Sequence, residues 1–149
     1  MSDTPSPRES VARFAAFFET LQPADLDQLE RFYTPDARFK DPFNEVQGLG
    51  PIRGIFEHMF TALQAPRFAV TRQLVDGDQA FLVWEFRFRL RRFDRDTVQV
   101  IRGGSHLALA PDGRVAEHRD YWDAAEELYE KLPGIGPLMR WLRRQASRP

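Results

Sequence analysis

The chain has 149 residues, 42% of them hydrophobic and 29% charged, a composition that excludes extensive disorder and fits one globular domain. Its formal net charge is −1, which argues against a dedicated nucleic-acid-binding protein because phosphate contacts require a basic excess. The absence of cysteine excludes disulfides, thiol catalysis and cysteine-ligated zinc. No apolar run approaches the roughly 18 residues of a membrane span, and the first residues lack the apolar core of a signal peptide, so we expect a cytoplasmic protein without a transmembrane segment.

Helical signals dominate the first part of the chain. Residues 1–7 are predicted to be a disordered tail, and the capping-box pattern of Ser6 and Glu9 predicts a first helix that ends before Pro23. A second helix is expected after Asp25 as its N-cap. Its apolar side is formed by Leu26, Leu29, Phe32 and Tyr33. A third helix starts at Gly50-Pro51 and has the strongest apolar stripe of the chain. This stripe consists of Ile52, Ile55, Phe56, Met59, Phe60 and Leu63.

Strands are predicted where the apolar residues change to a two-residue period. The first is a short strand from Ala37 to Asp41, which Pro42 breaks. Four more strands, separated by turn signals, are predicted over residues 67–75, 79–92, 97–110 and 114–122. A helix follows from Asp123. Consecutive strands with tight turns form an antiparallel meander, so the chain is predicted to be an α+β fold with helices packed on one face of a sheet.

Three sequence features together point to a known family. They are the segment from Ala37 to Phe43, the Gly50-Pro51 helix start and the strand that ends in Tyr121-Trp122. In this order and spacing, residues 8–123 resemble the SnoaL-like/ketosteroid isomerase group of the nuclear transport factor 2-like (NTF2-like) superfamily, with residues 124–149 as a C-terminal helical extension. The resemblance implies a cone in which three N-terminal helices pack on a strongly curved antiparallel sheet around a deep apolar cavity. Such a fold alone does not define the reaction.

The resemblance also suggests site residues. Asp41 stands where the isomerases hold the carboxylate that moves a proton between carbon atoms; the alternative is a surface turn residue before Pro42. The isomerases form their oxyanion hole with a tyrosine and a protonated aspartate. The corresponding positions in this sequence are Phe17 and Ser105. Because neither residue matches, steroid isomerisation is not expected.

Strand alternation adds the residues of the last strand to the site. His118, Asp120 and Trp122 share one face, which the resemblance turns towards the cavity. A carboxylate beside a histidine can support acid–base chemistry, although such a pair can also be only a satisfied part of the core. The catalytic residues are therefore predicted to be Asp41, His118 and Asp120. The ligand-binding residues are predicted to be Phe17, Phe39, Phe43, Trp84, Phe86, Ser105 and Trp122.

The remaining surface suggests partners. Val98, Val100, Val115 and Tyr121 fall on the outer face of the sheet, so we expect a homodimer through that face. Alternating Arg87, Arg89 and Arg91 are expected on the same face, paired with acids. The basic tail 131–149 is expected to pack on the protein or on a partner subunit, with contact to a membrane surface as the alternative. No motif for a metal or an organic cofactor is present, so none is expected.

Two functions are left open by these observations. One is an enzyme that acts on a hydrophobic substrate in an apolar cavity by carboxylate general acid/base catalysis, as an isomerase, hydrolase or cyclase. The other is a non-catalytic module that binds a hydrophobic ligand or serves in assembly. The grouping of Asp41, His118 and Asp120 favours the enzyme.

Overall fold

The computed structural model describes residues 4–91 and 95–127, together with residues 137, 141, 144 and 145. It confirms the α+β cone, in which helices pack on one face of a curved sheet. The helices are α1 (Pro7–Glu19), a 3₁₀ helix (Pro23–Arg31), α2 (Leu49–Ala62) and α3 (Ala124–Glu127). The strands are β1 (Tyr33–Lys40), β2 (Glu45–Gln47), β3 (Leu63–Asp76), β4 (Gln79–Leu90), β5 (Gln99–Leu109) and β6 (Val115–Tyr121).

Helix α1 begins as its sequence indicates. The backbone N–H of Glu9 donates to Ser6 Oγ at 3.2 Å, and Pro7 occupies the first turn, where its missing N–H costs nothing. The helix therefore includes Pro7, the last residue of the segment predicted to be a tail. Its buried side contains Phe14 and Phe18, which face the sheet and help to form the core.

The second helix differs from the prediction. It is a 3₁₀ helix whose N-cap is Gln22, and Asp25 instead accepts a hydrogen bond from the Gln22 backbone N–H at 2.8 Å. Tyr33 is not on this helix but is the first residue of β1, where it is fully buried. The chain becomes extended here because Thr34 precedes Pro35, and a residue before proline disfavours the helical conformation.

The sheet has the strand order β2-β1-β6-β5-β4-β3 in the described part of the chain. Strands β3 to β6 form the predicted antiparallel meander. Strand β2 was not predicted, and it pairs antiparallel with β1. Strand β1 runs parallel to β6 and places Phe39 opposite His118. This parallel pairing brings residues of the first and the last strand in chain order to one site.

Alternation correctly assigns most of the inner face of the sheet. Trp84, Phe86 and Phe88 of β4 are buried, and so is Ser105 of β5. Val115 was predicted to lie on the outer face, but this is wrong because it is only 1% exposed. The pairing of β5 with β6 shifts between Ala108 and Leu109, and the irregularity turns Val115 inwards.

The outer face of the sheet is partly polar. Arg87 pairs with Glu85 at 2.9 Å, as expected from their positions on β4. Arg91 lies beyond β4 and donates to the backbone carbonyls of Phe60 and Leu63 at 3.2 and 3.0 Å, so it does not belong to an arginine row on the sheet. Within residues 4–91 and 95–127, no helix is long and apolar enough to cross a membrane.

The C-terminal extension is described continuously only at its start, over residues 124–127. Arg102 of β5 forms an ion pair with Glu127 of α3 at 2.9 Å, and the Glu127 side chain is buried. This pair fixes α3 against the sheet. Most of the predicted basic tail 131–149 lies outside the described residues.

Candidate functional site

His118 lies at the centre of a buried, hydrogen-bonded group of side chains. Its Nε2 is 2.7 Å from Asp120 Oδ1, and its Nδ1 is 2.6 Å from Tyr33 Oη. The side chain of His118 is 6% exposed and that of Asp120 is 16% exposed. The two-residue period of β6 places His118 and Asp120 on one face, and β1 supplies Tyr33 from the neighbouring strand.

Ser105 and Trp84 extend this group across the sheet. Ser105 stands opposite Asp120 in the pairing of β5 with β6, and its Oγ lies 2.5 Å from Asp120 Oδ1. Trp84 Nε1–H donates to Ser105 Oγ at 2.9 Å. Since an indole can only donate, the serine accepts this bond and gives its own proton to Asp120. Asp120 Oδ1 therefore accepts from both Ser105 and His118, while none of the described residues donates to Asp120 Oδ2.

An inner cavity of about 30 Å³ lies next to Asp120. A water molecule needs about 10–15 Å³ of such space, so the cavity has room for one or two waters, whereas drug-sized ligands occupy pockets of roughly 300–1,000 Å³. The predicted deep apolar cavity is thus largely filled by side chains. The aromatic rings around it belong to Phe14, Phe18, Phe56, Phe68 and Trp84.

Asp120 also lines a surface depression of about 580 Å³, together with Trp122 and Asp41. Phe43 is 53% exposed, and its ring packs edge-on against Trp122 with the centroids 5.6 Å apart. Asp120 therefore lines both the inner cavity and the solvent-facing depression, and its side chain is 16% exposed.

Asp41 is not part of the hydrogen-bonded group. Its Oδ1 accepts hydrogen bonds from the backbone N–H groups of Phe43 and Asn44, at 2.8 and 2.6 Å, and from Asn44 Nδ2 at 3.1 Å. This is the turn geometry typical of an aspartate before a proline, the alternative that the sequence left open. The carboxylate therefore stabilises the turn between β1 and β2 and lies in the surface depression rather than in an aromatic enclosure.

The other predicted ligand-binding residues are distributed over three places. Trp84 and Ser105 lie at Asp120, Trp122 lines the surface depression, and Phe43 packs against Trp122. Phe39 packs edge-on against the His118 ring at a centroid distance of 4.7 Å, and Phe86 stacks on Phe68 at 4.5 Å. Phe17, also predicted to bind the ligand, stacks its ring on Phe32 at 4.1 Å and is not among the residues that line the inner cavity.

Sequence reasoning missed several residues of the site. Phe14 and Phe18 line the inner cavity in place of Phe17, and their spacing of four residues, which puts both on one helix face, is a signal for them. Tyr33 was assigned to a helix, and no local pattern marks it as a partner of His118. Its position depends on the parallel pairing of β1 with β6.

The electrostatics of the site favour a protonated Tyr33. Burial and then the negative charge of Asp120 raise the pKa of Tyr33 well above its ordinary value of 10.0, so the phenol keeps its proton and can donate it. No group of three or more His, Asp or Glu side chains within the described ranges is arranged to hold a metal ion. The arrangement is therefore one of a carboxylate, an imidazole and two hydroxyls, which are groups for proton transfer.

The sequence of this region identifies the family. Residues 14–118, which are well over half of the chain, match the SnoaL-like domain. The chain belongs to the SnoaL-like domain family. The SnoaL-like match includes Tyr33, Ser105 and His118, and Asp120 follows two residues after its end.

Solved structures share this SnoaL-like fold at low sequence identity. A hypothetical protein with a ketosteroid isomerase-like fold from Catenulispora acidiphila DSM 44928, in complex with trimethylamine, has a TM-score of 0.68 at 17% identity, over 83% of this chain and 92% of that chain. A candidate SnoaL-like polyketide cyclase from Shewanella putrefaciens CN-32 has a TM-score of 0.65 at 18% identity, over 85% and 87%. A second candidate, from Jannaschia Sp. CCS1, has 0.67 at 17%, over 100% and 98%. No curated protein matches the sequence significantly.

Proposed function

We propose that this SnoaL-like protein is an enzyme that transfers a proton on a hydrophobic small molecule, with Asp120 as the general base. The observation that carries the proposal is the asymmetry of this carboxylate. Oδ1 is held by Ser105 and His118, whereas Oδ2 receives no hydrogen bond from the described part of the chain. A fixed carboxylate with one open oxygen, at the boundary of an apolar interior, is suited to remove a proton.

The chemistry divides between the two oxygens of Asp120. Oδ2 takes a proton from a carbon next to a carbonyl group, or from a water that attacks an ester or an epoxide. Oδ1 stays bonded to Ser105 and to His118 Nε2–H, and these bonds hold the plane of the carboxylate. The protonated Asp120 then returns the proton to a second atom of the substrate or to the leaving oxygen. The same base therefore serves isomerase, cyclase or hydrolase reactions.

The dimensions of the two spaces limit how the substrate binds. Only a small group fits the inner cavity of about 30 Å³ beside Asp120. The surface depression of about 580 Å³ accommodates the larger part of the molecule, with the part-buried ring of Trp122 in its lining and the exposed ring of Phe43 packed against that indole. The substrate would therefore present its reacting group to Asp120 from the depression.

A second candidate function is the binding of a small organic cation without catalysis. Asp120 and five aromatic rings line the inner cavity, and aromatic faces attract alkylammonium groups; at about 30 Å³ the cavity would admit one end of such an ion, such as a single methyl group. The similar protein from Catenulispora acidiphila is in complex with trimethylamine. In this case Asp120 would pair with the cation and would not act as a base.

The two functions are distinguished by a panel of hydrophobic ketones, esters and epoxides. Deuterium exchange next to the carbonyl, followed by proton NMR in heavy water, detects proton removal, and incorporation of ¹⁸O from labelled water detects hydrolysis. We expect turnover by the wild type and a loss of about 10²- to 10⁴-fold in Asp120→Asn, the usual contribution of a general base. Asp41→Asn is the matched control and is expected to retain activity, because asparagine can still accept the turn hydrogen bonds.

The opposite results would move or remove the chemistry. Loss of turnover in Asp41→Asn with full turnover in Asp120→Asn would make Asp41 the base. Absence of turnover across the panel, together with trimethylamine binding that Asp120→Asn weakens in calorimetry, would establish the cation-binding function instead. Circular dichroism and thermal melting of each variant show whether its fold is intact.

A further inference from the structure

Tyr33 is a buried titratable side chain that the proton transfer described above does not use. Its hydroxyl lies 2.6 Å from His118 Nδ1, whereas Asp120 contacts the other ring nitrogen. We propose that Tyr33 is a positioning residue that keeps the His118 ring neutral, with the single ring proton on Nε2, so that Asp120 retains a full negative charge. The inference rests on the proposed role of Asp120, but its test requires no substrate.

The proton on Nε2 follows from the partner of that nitrogen. An ionised carboxylate only accepts hydrogen bonds, so Nε2 at 2.7 Å from Asp120 Oδ1 must carry a hydrogen. Ser105 Oγ is farther from Nε2, at 3.2 Å, and its own proton is already directed to Asp120. The remaining question is whether Nδ1 also carries a proton, which would make the ring a cation.

The state of Nδ1 follows from Tyr33. With a neutral ring, Nδ1 accepts the phenolic proton, and both groups are satisfied. With a cationic ring, Nδ1–H would donate to Tyr33 Oη, and the phenolic proton would then need a different acceptor. No other hydrogen bond of the Tyr33 hydroxyl is observed among the described residues. A fully buried donor without a partner is unfavourable, so the neutral ring is the state that satisfies this pair.

The side chains that surround the His118 ring include one charged group, the carboxylate of Asp120. The side chains next to His118 come from α1, β1, β5 and β6, and Asp120 is the charged one among those that the structure describes. They are Phe14, Phe18, Tyr33, Phe39, Ser105, Leu107 and Asp120. Asp120 by itself would favour a cationic ring. The apolar contacts of Phe14, Phe18 and Phe39 act in the opposite direction, because burial disfavours charge. Tyr33 also favours the neutral ring, because its phenolic proton needs Nδ1 as an acceptor.

The neutral ring has a consequence for the base. An imidazolium 2.7 Å from Asp120 would compensate the negative charge of the carboxylate and make it a weaker proton acceptor. A neutral ring still donates Nε2–H and thus orients the carboxylate, but it leaves the charge in place. Tyr33 therefore affects Asp120 through His118, without a contact to the reacting atoms.

The test is the protonation state of the His118 ring in ¹⁵N-labelled protein. Long-range proton–nitrogen NMR distinguishes ring nitrogens that carry a proton from those that do not, and His118→Gln identifies the signals among the three histidines. In the wild type near neutral pH, about 7, we expect a protonated Nε2 and an unprotonated Nδ1. In Tyr33→Phe we expect the ratio of neutral to cationic ring to fall about tenfold, measured at a pH where both forms are populated.

Tyr121→Phe is the matched control, because Tyr121 is exposed on β6 and its ring contacts Arg119. It is expected to leave the His118 signals unchanged. A wild-type ring protonated on both nitrogens, or on Nδ1 alone, would overturn the proposal, and so would an unchanged ratio in a folded Tyr33→Phe. If Tyr33→Phe fails to fold, the protonation pattern of the His118 ring in the wild-type spectrum still tests the proposal. Absence of turnover on the substrate panel would refute the enzymatic function without changing this result.

Discussion

Gly103 lies directly against the indole of Trp84. A Cβ atom built on Gly103 would be 2.7 Å from Trp84 Cη2 and 3.0 Å from Trp122 Cβ. Both distances are shorter than normal contacts between carbon atoms, and Trp84 is held in place by its hydrogen bond to Ser105. The missing side chain at Gly103 thus permits the position of the indole that supports Ser105 and, through it, Asp120.

Gly103→Ala is therefore expected to destabilise the protein by about 1–3 kcal/mol, the usual cost of overpacking a well-filled core. Urea unfolding followed by tryptophan fluorescence measures this change. Gly54→Ala is the control, because Gly54 is in the interior of α2 with no atom within 4 Å of an added Cβ. This control is expected to stabilise the protein by up to about 1 kcal/mol through helix propensity. Equal stability of Gly103→Ala and the wild type would contradict the proposed packing.

Tyr33 is expected to make stability depend on alkaline pH. Its folded pKa is raised, so the folded state holds the phenolic proton more tightly than the unfolded state, and stability is lost as pH rises above the unfolded pKa of about 10. This one group contributes a slope of up to about 1.4 kcal/mol per pH unit. Urea unfolding of the wild type and Tyr33→Phe at about pH 9 and about pH 11 measures it.

The difference in unfolding free energy between these two proteins isolates the contribution of Tyr33, since other titrating groups are common to both. We expect the advantage of the wild type to decrease from the lower to the higher pH. A difference that stays constant over this range would mean that burial of Tyr33 does not hold its proton.

Local sequence signals predicted most of the helices and strands. The capping-box sequence pattern that starts at Ser6 and the apolar stripe of α2 depend on neighbouring residues only. The alternation that put Trp84 and Ser105 on the inner face is equally local. The prediction that Val115 lies on the outer face failed because an irregularity in the pairing of β5 with β6 reverses the alternation. Such an irregularity depends on the partner strand, so the sequence of β6 alone does not indicate it.

The candidate site was predictable only in part, for the same reason. His118 and Asp120 are two positions apart on one strand, and their contact follows from alternation. Tyr33 reaches His118 only through the pairing of β1 with β6, which no local pattern encodes. Asp41 had two local interpretations, a catalytic carboxylate or a turn residue, and the backbone N–H groups of Phe43 and Asn44 gave it the second environment.

The outer face of the sheet is expected to form a homodimer interface. Tyr121 of β6 and Val98, which directly precedes β5, are each 46% exposed, and Gly104 makes room for the ring of Phe81 on the outer face. Sedimentation at micromolar concentration is expected to give the mass of a dimer, and Tyr121→Glu is expected to shift it to a monomer. Ala16→Glu, on the exposed side of α1, is the control and is expected to remain a dimer. A monomeric wild type would refute the interface.

The parallel pairing of β1 with β6 also determines when the site forms during folding. Tyr33 and His118 are 85 positions apart, so their hydrogen bond closes one of the long loops of the chain. Contacts between distant positions form slowly, because the entropy of loop closure is lost before the contacts stabilise the structure. On the ribosome, β1 emerges well before β6 and remains without this neighbour until most of the sheet has been synthesised. The Asp120 site is therefore a late product of folding, and a nascent chain that lacks β6 has neither His118 nor Asp120.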